Sequence, residues 1–151
     1  MIILLEDIIV KTLCRFLIPF IQLFGLYVIA HGHGSPGGGF QGGCILAASF
    51  VLILIAFDLA EAKKRFSEKL NNFFNSFGVL IYTGTGWLCL LLGGNYLDYG
   101  KLSKILSVDP VQARYYGVFA VEVGVGITVM AVMVSIFLDL ITGGKHEEAS
   151  E

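Results

Sequence analysis

Two stretches of this 151-residue chain hold residue types that could do chemistry. The first is HGHGSPGGGFQGG, residues 31–43, a glycine-rich run with two histidines, a proline and a glutamine. The second is YGVFAVEVGVGITVM, where Glu122 stands between Val121 and Val123 in an otherwise apolar segment. A carboxylate at bilayer depth is costly and marks a functional position. The chemistry it offers is proton or cation transfer, or pairing with a cation on a partner subunit. Histidine titrates near neutral pH, so His31, His33 and Gln41 are candidates to line an ion or proton path with Glu122. Two plainer readings stand beside these. The glycine run can be a structural turn, and Glu122 can snorkel outward or sit protonated and hydrogen-bonded.

Other chemistries fit poorly. The glycine run lacks the GK[ST] ending of a phosphate loop and follows no expected strand. His31 and His33 supply two zinc ligands where a site needs at least one more, and no rich donor cluster lies near. We therefore expect no metal site, no cofactor and no catalytic residue, and read the chain as not an enzyme by itself. Cys14, Cys44 and Cys89 lie in or beside apolar segments and behave as small hydrophobes. A net charge of -2 gives no basic face for nucleic acid.

The elements that must position these residues follow from composition. Hydrophobic residues make up 56% of the chain and charged residues 15%, where a soluble domain carries about a quarter charged. The charges crowd the gaps between four apolar stretches, the pattern of an all-α integral membrane protein with four transmembrane helices. Residues 1–151 read as a single polytopic domain in the lipid bilayer, with spans at about 8–30, 43–60, 73–92 and 114–141. The opening MIILLED puts acids where a secretory signal puts its positive region, so no removable signal is expected.

The second helix is expected to run on past the bilayer through DLAEAKKRFSEKLNN. Glu61 and Arg65, and Lys64 and Glu68, are spaced there for i,i+4 pairing, and Asn71 and Asn72 end the helix. The third span closes at Gly93 and Gly94. The fourth has a clear start, Asp109 as N-cap and Pro110 at the first helical position, and runs to Gly143 and Gly144, roughly 50 Å at 1.5 Å per residue. Between them Leu102, Ile105 and Leu106 with Tyr96 and Tyr99 suggest an interfacial helical turn. Asp58, Glu61 and Asp139 read as ordinary interfacial charges, and the KHEEASE end as a disordered tail.

Backbone at membrane depth must be sheltered by protein or border a wet cavity. Pro36, Gly37, Gly38, Gly39, Gly42 and Gly43 are accordingly expected to form a tight, re-entrant or interfacial loop whose backbone comes close to another helix. On the fourth helix Gly117, Ala120, Gly124 and Thr128, continued by Ala131 and Ser135, make a small-residue packing face. Glu122 lies about 200° from Ala120 and from Gly124, on the side of Gly126, Val129 and Met133. Both sides of this helix then face protein, which we expect four spans to be too few to provide, so partner subunits are implied.

Orientation follows from the positive residues. Lys11, Arg15, Lys63, Lys64, Arg65, Lys69 and Lys145 share one side, while Lys101, Lys104 and Arg114 hold the other. Lys and Arg favour the cytoplasm, so we expect a multi-pass protein of the cell membrane with both termini cytoplasmic and residues 31–43 on the outer side.

HGHGSPGGGFQGG between a first and second span resembles the signature of the B subunit of multi-subunit Na+/H+ antiporters of the Mrp type. YGVFAVEVGVGITVM resembles the acidic fourth-helix segment of the same subunit. The resemblance extends to the related modules of archaeal membrane-bound hydrogenase and sulfane sulfur reductase complexes. It implies a four-helix, non-catalytic subunit of a hetero-oligomeric antiporter or respiratory complex that exchanges Na+ for H+, with the main pumping sites in larger sister subunits. Two rivals remain at this stage. One is a purely structural assembly subunit. The other is a haem- or quinone-binding redox subunit, which would want histidines on facing helices at similar depth.

Overall fold

The structure is a computed structural model and describes residues 2–32, 34, 37–57 and 67–143, with backbone alone for residues 2–7. Four long helices carry it: α1 (Ile2–Ala30), α2 (Gly39–Ala56), α3 (Glu68–Leu91) and α4 (Pro110–Thr142). A 3-10 turn, Tyr99–Leu102, followed by one α-helical turn, Ser103–Leu106, bridges α3 and α4, and the described residues contain no strand. All four long helices are long and apolar enough to cross a membrane.

α4 forms as its end signals dictate. Asp109 caps it, its Oδ2 accepting from the Val111 N–H at 3.1 Å, with Pro110 inside the start. Gly143 ends it in the left-handed conformation that a C-terminal glycine adopts without a Cβ clash. The middle of the chain differs from the sequence expectation. α2 starts at Gly39, four residues earlier than residue 43, so Gly39, Gln41, Gly42 and Gly43 belong to a helix and not to a loop. Glycine is a poor helix former, but here close packing against α1 and α4 outweighs the propensity. α2 stops at Ala56, where the Phe57 N–H closes onto Ile53 O, and α3 opens at Glu68 behind Ser67, whose hydroxyl accepts from the Leu70 N–H. Asn71 and Asn72 thus sit in the opening turns of α3 and end nothing. The proposed pairing of Glu61 with Arg65 and of Lys64 with Glu68 lies outside the described residues, as does the KHEEASE tail.

α4 is the spine of the bundle. It packs against α3 on one side and α2 on the other, and α1 completes the second side by packing on α2. The approach to α3 runs over Gly78 and Gly124: a Cβ on Gly78 would stand 2.7 Å from Gly124 O and 2.8 Å from Thr128 N. Ala131 and Ser135 continue that face beneath Asn71, whereas Gly117 is covered by the ring of Tyr99 from the connecting turn. The opposite face meets α1 and α2. A Cβ on Gly43 would lie 2.6 Å from Gly126 O, and one on Gly126 would lie 2.8 Å from Ile29 Cδ1. The chain thus covers Gly124 and Thr128 on one side of α4 and Gly126 on the other, while Met133, on the Glu122 side, stays exposed.

The core follows this layout. Ile29, Leu46, Ala47, Met130, Val134 and Leu138 fill the space between α1, α2 and α4. Cys89, Leu102 and Ala113 close the end under the α3–α4 connection. All three cysteines are free. Outward faces carry Phe16, Leu23, Leu80, Leu91 and Leu140, all exposed, an apolar exterior suited to acyl chains or to other membrane proteins.

Candidate functional site

The turn between α1 and α2 is built from what its sequence supplies. α1 is closed by the His31 N–H donating to Tyr27 O and the Gly32 N–H donating to Ile29 O, and Gly34 N–H continues the turn onto His31 O. Gly38 is the N-cap of α2 in an extended conformation. Among the described residues, the side chain of Glu122 on α4 is the one that lies against the glycines of this turn. A Cβ on Gly32 would lie 2.6 Å from Glu122 Oε1 and 2.7 Å from Oε2, and one on Gly38 would lie 3.3 Å from Oε1. The fit continues into the backbone, since a Cβ on Gly39 would meet the Glu122 main chain, its carbonyl carbon at 2.9 Å and its Cα at 3.0 Å. Glycine at 32, 38 and 39 is what admits the fourth helix this close.

The electrostatics of the seat are divided. Gly38 begins α2, so the carboxylate lies beside the positive end of that helix dipole, which favours an anion. Yet Glu122 Oε2 is buried and has no hydrogen-bond partner among the described residues, and a buried polar atom left unmatched is costly. A carboxylate in that position is completed by a proton, by a cation or by a group from a neighbouring chain.

The other sequence candidates do not all join it. His31 is exposed; its ring stacks on Tyr27 with centroids 4.2 Å apart, and its Nδ1 lies 3.1 Å from Tyr27 O. No hydrogen bond or ion pair links His31 to Glu122 among the described residues. Gln41 is exposed on the outer face of α2, opposite the buried Gly42 and Gly43. His33 and Pro36 lie outside the described residues. Among those residues no group of three or more His, Cys, Asp or Glu could hold a metal ion. The site the structure assembles is thus Glu122 with Gly32, Gly38 and Gly39. Sequence reasoning did not pair Gly32 with Glu122, because the two are far apart in the chain and glycine leaves no pattern for a partner ninety residues away. It also passed over Gly25, whose carbonyl oxygen would lie 2.8 Å from a Cβ on Gly42 and which brings α1 onto α2.

Residues 9–135 match a family described as a domain related to the MnhB subunit of Na+/H+ antiporter. The B subunit of the Na(+)/H(+) antiporter of Alkalihalophilus pseudofirmus is 30% identical over 131 residues, which is 83% of this chain and 90% of that protein. A putative antiporter subunit mnhB2 of Staphylococcus epidermidis is 30% identical over 140 residues, 93% of this chain and 97% of its own length. Its Staphylococcus aureus namesake is 27% identical over the same shares. With the match spanning all four helices, the chain belongs to the family of domains related to the MnhB subunit of Na+/H+ antiporters.

Proposed function

We propose that this chain is a non-catalytic membrane subunit of a multi-subunit cation/proton antiporter of the Mrp type, and that Glu122 in its glycine seat forms part of the ion path. The relatives are named as antiporter subunits, and four helices of this chain suit a bilayer. On this reading the chain sits in the cell membrane beside sister subunits, with both termini cytoplasmic, in an assembly that exchanges Na+ for H+. The observation that carries the role of Glu122 is its buried, unmatched Oε2 against the α1–α2 turn. An acceptor held there is placed to take up and release a cation or proton. His31 and Gln41 contribute to the approach and not to the seat itself, since neither contacts the carboxylate.

The test is Na+-dependent collapse of a pH gradient in everted vesicles that carry the whole assembly. Glu122→Gln keeps the size of the side chain and removes its charge. Exchange should fall roughly a hundredfold or more, the usual worth of a positioned proton-transfer group, while the variant chain still co-purifies with its sister subunits. Exchange at the original rate would instead support a purely structural reading. The tight fit of Gly39 and Gly43 onto α4 favours that second reading, because it gives the glycines a packing task that needs no ion. The purified assembly also separates a free-standing antiporter from a module of a respiratory hydrogenase or sulfane sulfur reductase, since only the latter brings iron–sulfur absorption with it.

A further inference from the structure

Where α3 gives way to α4, the connecting turns stand off from the two helices and leave a groove of about 240 Å3. Thr85 and Leu88 of α3, Ile105 and Leu106 of the connection, and Tyr116 and Ala120 of α4 line it. Leu88, Ile105, Leu106 and Tyr116 are all exposed, so the groove opens on the outside of the bundle. The Thr85 hydroxyl donates back to Ile81 O at 2.8 Å, and on α4 the wall is low because Ala120 offers only a methyl group. A space of this size has room for about eight waters at roughly 30 Å3 each, but a water needs two to four polar partners, which these walls do not supply.

The mouth of the groove carries charge. Lys104 lies in the same turn as Ile105 and Leu106, and its Nζ donates to Leu92 O at 3.2 Å. Leu92 is one turn beyond Leu88, its N–H closing onto Leu88 O, so the ammonium stands just past the end of the groove. An ammonium has three donors, and Leu92 O takes one of them. The other two cations of this end gather about Asp98 instead. A Cβ on Gly94 would meet Lys101 Cγ at 2.6 Å and Asp98 Oδ2 at 3.1 Å, and one on Gly100 would meet Arg114 Nε at 3.3 Å and Asp98 Oδ1 at 3.5 Å. Tyr96, Tyr99, Tyr115 and Tyr116 mark the same end, the level at which tyrosines meet lipid headgroups.

We infer that this groove holds an acyl chain of an anionic phospholipid whose phosphate is bound by Lys104. Binding of that kind grows with buried apolar area and with attraction between a cation and an anionic headgroup. The groove supplies the first and Lys104 the second. The charge favours a lipid over a bare apolar helix, which would bring no anion to Lys104. The inference rests on the four helices crossing a bilayer and stands whether or not Glu122 carries ions.

Native mass spectrometry of the full-length chain tests it, after release from nanodiscs of equimolar phosphatidylglycerol and phosphatidylcholine with matched acyl chains. One lipid per chain should survive release, with phosphatidylglycerol ahead by about fivefold, the usual worth of one lysine beside an anionic surface. Lys104→Gln keeps a donor for Leu92 O and drops the charge, so the two lipids should then be retained equally. Leu106→Gln, at an exposed position, and Ala120→Leu, which fills the low wall, should each cut retention of both lipids roughly fivefold or more. Equal retention of the two lipids by the unaltered chain, or a preference that Lys104→Gln preserves, would overturn the headgroup site. Undiminished retention in both groove variants would overturn the groove. The bound lipid should also stay with this subunit when it is ejected from the intact assembly; its absence there would give the groove to a sister subunit.

Discussion

Glu122 and the glycines around it show how differently single residues behave in one helix bundle. Gly39→Ala places a methyl group against main-chain atoms of Glu122 that cannot rotate away. Overpacking of that kind typically costs about 1–3 kcal/mol, and a melting curve of the full-length chain should fall accordingly. Gly84, in the middle of α3, has open space where its Cβ would be. Gly84→Ala should be neutral or slightly stabilising, within about 1 kcal/mol, and a loss as large as that at Gly39 would mean that a hidden neighbour covers this face. At this scale the sequence told half the story. Glu122 stands out in the sequence because an acid among valines is costly at bilayer depth. Asn71 does not, because an asparagine before an apolar run looks like a helix end, and its partners Ala131 and Ser135 lie sixty residues downstream.

At the scale of elements, α4 was legible from its caps, and the start of α2 was not, because glycines that usually break a helix are held helical by what they touch. The α3–α4 connection was legible as a helical turn with aromatic anchors, but not its folding back onto the bundle. Tyr96 lies over Gly86 and Tyr99 over Gly117, and Leu97 and Ser107 take positive φ to allow the bends. Burial pushes the Tyr99 phenol above its ordinary value, with Cys89, Tyr82 and Tyr96 adding smaller effects in the same direction. The folded chain thus keeps this proton at pH values where the unfolded chain has lost it. Stability from the connection should be constant below the ordinary tyrosine value, about 10, and decline as pH rises above it. Tyr99→Phe should flatten that alkaline decline in melts taken between neutral pH and pH values above about 10; an unchanged slope would assign the decline to other groups.

For the molecule as a whole, the predicted topology puts Ser67 at the cytoplasmic end and Ser107 at the outer end. In a background with the three cysteines replaced by alanine, an impermeant maleimide should label Ser107→Cys in intact cells and Ser67→Cys only in everted vesicles. The reverse pattern would turn the protein over. Charge counting gave this expectation, but the arrangement of helices about α4 could not be counted, since small residues permit close contact without naming the surface that uses it. Among the described residues, α1 and α2 on one side and α3 on the other meet chiefly through α4. That helix has no proline beyond its first turn, so it behaves as a stiff rod between the two sides. A slide or twist of the rod by a fraction of a turn would displace both of its acids together, Glu122 beside the α1–α2 turn and Asp139 near its C-terminal end. Mechanical communication across the thickness of the bilayer then needs no relay of side chains, only the rigidity of a single continuous helix.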